Sequence, residues 1–68
     1  MKLNVKLFTG EVSSKNVEVP DDSTYFDLLS LLNINPETVV IFNSGVSVAF
    51  DATVEGHKVE IMRVVSGG

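Results

Sequence analysis

Leu3, Val5 and Leu7 alternate with Lys2, Asn4 and Lys6, the period of two expected of a strand with one buried face. The alternation breaks at Thr9-Gly10, which reads as a turn, and resumes where Val17 and Val19 alternate with Asn16 and Glu18. Two such runs joined by a turn predict an antiparallel hairpin. Pro20 ends the second strand, because it has no amide hydrogen to give to a ladder.

The period then changes. Asp21, Asp22, Ser23 and Thr24 are residues that cap helices, and Tyr25, Leu28, Leu29 and Leu32 follow at the i, i+3, i+4, i+7 spacing of an amphipathic helix. Thr24 and Asp27 have the spacing of a capping box, with Asp in the place where Glu or Gln is usual. The helix should stop near Asn33, since Pro36 disfavours helical geometry at Asn35, and Ile34 can fold back onto the core. Beyond it, Val39 to Asn43 reads as a strand, Ser44-Gly45 as a turn, Val46 to Phe50 as a short strand, and Asp51 to Gly56 as a loop. His57 to Val65 reads as the longest strand.

Strand, strand, helix, strand, short strand, strand is the order of a small α+β roll, with the helix across one face of a mixed sheet of four to five strands. The first and last strands are expected to lie parallel at its centre. Residues 1–65 make one domain and residues 66–68 a flexible Ser-Gly-Gly tail.

Length and charge narrow the chemistry. A chain of 68 residues has no room for a second domain or a deep catalytic cleft. Its formal charge of −4 argues against nucleic acid, which asks for a basic face, and favours neutral or basic partner surfaces. Without cysteine there is no disulfide, thiol nucleophile or thiolate metal site, which fits a cytoplasmic protein. No run approaches the roughly 20 apolar residues of a membrane span, and the N-terminus is not continuously apolar as a signal peptide would be. A monomer with no membrane partner is expected.

The candidate chemistry sits at Ser66-Gly67-Gly68. At the average glycine usage of about 7%, two glycines would close a chain by chance roughly once in two hundred. With no β-carbon, Gly67 and Gly68 can thread a narrow channel and leave the terminal carbonyl open to a nucleophile. The carboxylate itself is a poor electrophile, so a partner enzyme would first have to convert it to an acyl-adenylate with ATP. A plain frayed end would carry the same small residues.

The order of elements and the terminal Gly-Gly together resemble the ubiquitin-like β-grasp proteins, over the whole chain. Asn35-Pro36-Glu37-Thr38-Val39-Val40-Ile41 and the ending from Lys58 to Gly68 are similar to the prokaryotic sulfur carriers. That group includes the sulfur carrier of thiamine synthesis, the small subunit of molybdopterin synthase and the archaeal small modifier proteins. Two departures from the family pattern are visible: Ser44 stands between Asn43 and Gly45, and His57 rather than an acid follows Gly56.

The resemblance implies that a ubiquitin-activating-type enzyme adenylates Gly68, which then receives sulfur as a thiocarboxylate for thiamine, molybdopterin or tRNA thiolation. The alternatives are a protein modifier joined through Gly68 to substrate lysines, and a non-covalent interaction module whose tail is inert. In the first two the chain is a substrate of enzymes rather than an enzyme. It binds no cofactor of its own, and ATP belongs to the activating partner.

Ordering roughly four tail residues in a partner's channel would cost about 4 to 8 kcal/mol of backbone entropy, so a compensating apolar surface is expected. If Val59 and Ile61 face the core, Met62 and Val64 share the opposite face with Glu60, and Val40 and Phe42 emerge there too. The resemblance adds Phe8, which at the mouth of the first turn sits where ubiquitin-like proteins carry an apolar residue bordering this patch. Phe8, Phe42, Met62 and Val64 are the predicted docking surface, and burying about 400 Å² of it would contribute about 10 kcal/mol gross. Phe8 and Phe42 would equally serve as ordinary core under loops.

The remaining polar residues point elsewhere. His57 has no companion histidine or cysteine and reads as a solvent-facing strand end rather than a metal ligand. Asp21 and Asp22 precede a helix, where capping explains them better than acid–base catalysis. Ser23 and Thr24 have no histidine nearby to act as a base, and no metal site or catalytic residue is expected. Arg63 could pair with an acidic groove on the activating enzyme, and Lys2, Lys6, Lys15 and Lys58 could accept a modifier.

Overall fold

The computed structural model describes residues 1–8 and 10–64. Five strands form one mixed sheet in the order β2-β1-β5-β3-β4. They are β1 (Lys2–Phe8), β2 (Val12–Glu18), β3 (Val39–Asn43), β4 (Val46–Ser47) and β5 (Lys58–Arg63), with one helix, α1 (Tyr25–Leu31), between β2 and β3. The β1–β2 hairpin is antiparallel and β1 runs parallel to β5, as the sequence pattern predicts.

The alternation in β1 determines the two faces. Leu3, Val5 and Leu7 are buried, as are Val59 and Ile61 of β5 and Val39 and Ile41 of β3. Register brings Leu7, Ile61 and Ile41 side by side across three strands. Tyr25, Leu28 and Leu29 of α1 complete this core, together with Val19 and Val54. At the β2 edge, Lys15 and Ser13 share the inward parity of Val17 but are exposed. A lysine there discourages strand addition by another chain.

Seven residues make a helix too short to persist without its ends satisfied. Thr24 is the N-cap: its Oγ1 accepts from the Asp27 amide at 3.3 Å, and Asp27 Oδ2 accepts from the Thr24 amide at 3.0 Å, completing the capping box. The next free donors turn to the loop before β5, where the carbonyls of Ala52 and Phe50 accept from the Tyr25 and Phe26 amides at 3.1 and 2.9 Å. At the other end Asn33 lies at φ 58°, and the Ile34 amide reaches back to the Leu29 carbonyl at 2.9 Å. This is a Schellman ending, with Ile34 half-buried against the core as anticipated.

Three features differ from the sequence reading. Val46 to Phe50 is not all strand; β4 holds only Val46–Ser47, because the Phe50 carbonyl is drawn to the helix N-terminus instead of a ladder. The last strand, at 6 residues, is shorter than the 7 of β1 or β2, although the Val64 amide still donates to the Thr38 carbonyl at 2.9 Å. A single 3-10 turn, Pro36–Thr38, precedes β3, capped by Asn35 Oδ1 accepting from the Glu37 amide at 3.0 Å.

Candidate functional site

The outer face of the sheet carries the predicted docking residues. Because β1 and β5 are parallel, their C-terminal ends coincide, and Phe8 pairs in register with Met62. Met62 pairs on its other side with Val40, and Phe8 with Val12 of β2. A row of four apolar side chains, Val12, Phe8, Met62 and Val40, therefore crosses the sheet at the end from which the chain leaves β5. Val64 extends it beside Thr38.

Met62 and Val64 are 43% and 44% exposed. Phe8 is half-buried, with the Lys6 ammonium 5.4 Å from its ring centroid. That cation lies over the aromatic face in the geometry of a cation–π contact.

Phe42 shares this face but stands one row away, in register with Glu60 and Ser47. The patch is therefore polarised. Its apolar row borders the exit of β5, a mixed row of Lys6, Glu60 and Phe42 follows, and Asn4 and Lys58 lie beyond. Val40 and Val12 join the row because of register, which parity in the sequence does not reveal. Ser66, Gly67 and Gly68 lie outside the described residues, as does Thr9 of the predicted first turn.

The capping expected of Asp21 and Asp22 falls instead to Thr24 and Asp27, which lie at the first turn itself. Asp21 accepts a hydrogen bond from the Met1 ammonium at 3.1 Å, and Asp27 serves the capping box. His57 is exposed, and its carbonyl accepts from the Asn4 amide at 2.7 Å. Among the described residues no cluster of His, Asp and Glu could hold a metal ion. No helix among the described residues is long and apolar enough to cross a membrane.

Asn43 is a residue whose part the sequence did not disclose. Its Nδ2 donates to the buried Tyr25 hydroxyl at 2.9 Å and to the Glu55 carbonyl at 2.7 Å, tying α1 to the loop before β5. Ser44 and Gly45, at φ 53° and 80°, form the two-residue turn between Asn43 and Val46. Positive φ at both centres suits the twist of a tight hairpin, and glycine takes it without strain. Asn43 stands just outside this turn, where its side chain reaches the helix and the loop before β5.

The family model of small archaeal modifier protein 2 matches residues 1–65. The chain belongs to that family. An uncharacterized protein of Archaeoglobus fulgidus is 40% identical over 68 residues, the whole of both chains. Small archaeal modifier protein 2 of Haloferax volcanii is 37% identical over 59 residues, covering 87% of this chain and 88% of its own.

The fold of this modifier family member is that of ubiquitin. A ubiquitin of Caldiarchaeum subterraneum superposes over the full length of both chains at TM-score 0.66 and 18% identity. The UBL domain of Plasmodium falciparum Dsk2 superposes over 94% of this chain and all of its own at TM-score 0.69 and 19% identity. These likenesses establish the ubiquitin-like β-grasp architecture. With the family match they make the chain a ubiquitin-like modifier.

Proposed function

We propose that this modifier is joined to target proteins through Gly68. An activating enzyme would form the acyl-adenylate, releasing pyrophosphate, and a lysine amine would then attack the carbonyl, forming an isopeptide bond as AMP leaves. The observation that carries this reading is membership of a modifier family in a chain that closes on Gly67-Gly68. The chain contributes the carboxyl group and the handle by which enzymes hold it, and the chemistry is theirs.

The apolar row of Phe8, Met62 and Val40, with Val64 beside it, supports docking on the outer sheet face, because it lies next to the strand that leads to residues 66–68. A partner seated on the row would hold the tail within reach of its own site. Met62→Asp is expected to slow adenylation by roughly thirtyfold in kcat/KM, about 2 kcal/mol, as for a central interface anchor. Met62 is exposed, so unfolding free energy should change by less than about 0.5 kcal/mol. Equal loss of activity and stability would argue against docking there.

The sulfur carriage expected from the ending Lys58 to Gly68 is a second fate of the same activated carboxyl, in which sulfur replaces one carboxylate oxygen. Mass spectrometry of the protein from its own cells, prepared without reducing agents, tests both. Lysines elsewhere in the proteome carrying the chain's C-terminal remnant are the expected result for the modifier. A Gly68 terminus with one oxygen replaced by sulfur is the expected result for the carrier. An unmodified terminus with neither product would leave a non-covalent module.

A further inference from the structure

The helix side of the molecule carries a second apolar surface with a different charge. All five cationic side chains, Lys2, Lys6, Lys15, Lys58 and Arg63, belong to β1, β2 and β5. Between Lys15 and Lys58 the sequence has no lysine or arginine and seven carboxylates: Glu18, Asp21, Asp22, Asp27, Glu37, Asp51 and Glu55. The segment that builds α1 and its flanking loops is thus acidic throughout.

Within it, Phe26 is 48% exposed. The core beneath α1 is completed by Tyr25, Leu28 and Leu29, so a polar residue at position 26 would leave that core intact. Phe26 is nevertheless held in place: its ring meets Phe50 edge-on with centroids 5.6 Å apart, and its amide is bonded to the Phe50 carbonyl. Beside it a groove is lined by Phe26, Leu29, Ser30, Asn33, Ile34 and Pro36. In sequence, exposed acids directly follow two residues of this surface, Asp51 after Phe50 and Glu37 after Pro36.

We propose that this groove receives a basic amphipathic protein segment, with a bulky apolar side chain against Phe26 and Phe50 and lysine or arginine side chains meeting Asp51 and Glu37. A fixed, half-exposed aromatic ring offers apolar area at little entropic cost, and a surrounding segment charged with one sign selects a partner of the other sign. An anionic membrane surface would be repelled by the same carboxylates. The groove lies across the molecule from the Met62 row, so it would remain open while that row is engaged, and it does not depend on the tail chemistry.

The test is an amide NMR titration of the intact protein with a helical leucine–lysine peptide of about 14 residues, close to four turns. The expected shifts centre on Phe26, Ser30, Asn33, Ile34 and Phe50. Affinity should fall roughly tenfold in Phe26→Ser and again in the folded double variant Glu37→Lys/Asp51→Lys, while Met62→Ser binds as before. It should also weaken as salt rises from about 0.05 M to about 0.5 M.

No binding, equal binding of a leucine–glutamate twin, or shifts centred on Phe8, Val40 and Met62 would overturn the proposal. Self-association of the free protein that Phe26→Ser abolishes would assign the groove to a second copy of the chain instead.

Discussion

Ile61→Ala is expected to cost about 2 to 5 kcal/mol of unfolding free energy, read from the midpoint of a urea titration. At roughly 0.05 to 0.15 kcal/mol per residue, a domain of 68 residues has about 3 to 10 kcal/mol to lose. Ile61 is fully buried in β5, with β1 on one side and β3 on the other. Its neighbours in register, Leu7 and Ile41, belong to different strands and are fixed by separate ladders, so they have little freedom to close the cavity. Ile61→Val, which removes one methylene, should lose only about 0.5 to 1.5 kcal/mol. A loss under about 1 kcal/mol for the alanine variant would mean that β5 is not the centre of the core.

The burial of Ile61 was legible in the sequence because strand parity is a local property. Once Val59 and Ile61 are taken as inward, Met62 must face out, and the same rule separates Leu7 from Phe8. The helix was legible for a similar reason, since Thr24, Asp27 and Ile34 interact with groups within five residues of themselves. What parity does not encode is which strand lies beside which residue. Val40 and Val12 enter the outer row only through the register of β3 and β2, and Phe42 leaves it for the same reason.

The shortening of β4 has a related cause. Val46, Val48 and Phe50 alternate with Ser47 and Ala49 as a strand should, but two amides at the start of α1 need acceptors and the chain nearby supplies them. Local pattern favoured a ladder, and a contact between residues more than 20 positions apart prevailed. Asn43 escaped notice on the same grounds, because its partners Tyr25 and Glu55 are distant in sequence and its side chain matters only once the fold has assembled them.

Deleting Gly68 is expected to abolish transfer to lysine while leaving the fold unchanged. The loss would follow from distance. Each extended residue spans about 3.3 to 3.6 Å, so the new carboxylate would stop that far short of the activating enzyme's ATP. Reacting atoms must approach to about 3 to 3.5 Å, and displacements of about 1 Å already cost roughly a hundredfold. Adenylation, followed as pyrophosphate release, should therefore fall by at least about a hundredfold. The unfolding midpoint should stay at the parent value, because among the described residues the buried core lies between Leu3 and Ile61. Gly68→Ala separates reach from crowding: it keeps the length and adds one β-carbon, so it should retain more activity than the deletion. Full activity in the deletion variant would show that the reactive group is not this carboxylate. No adenylation of the parent chain either would leave the docking row and the groove beside Phe26 to a protein that acts by binding alone.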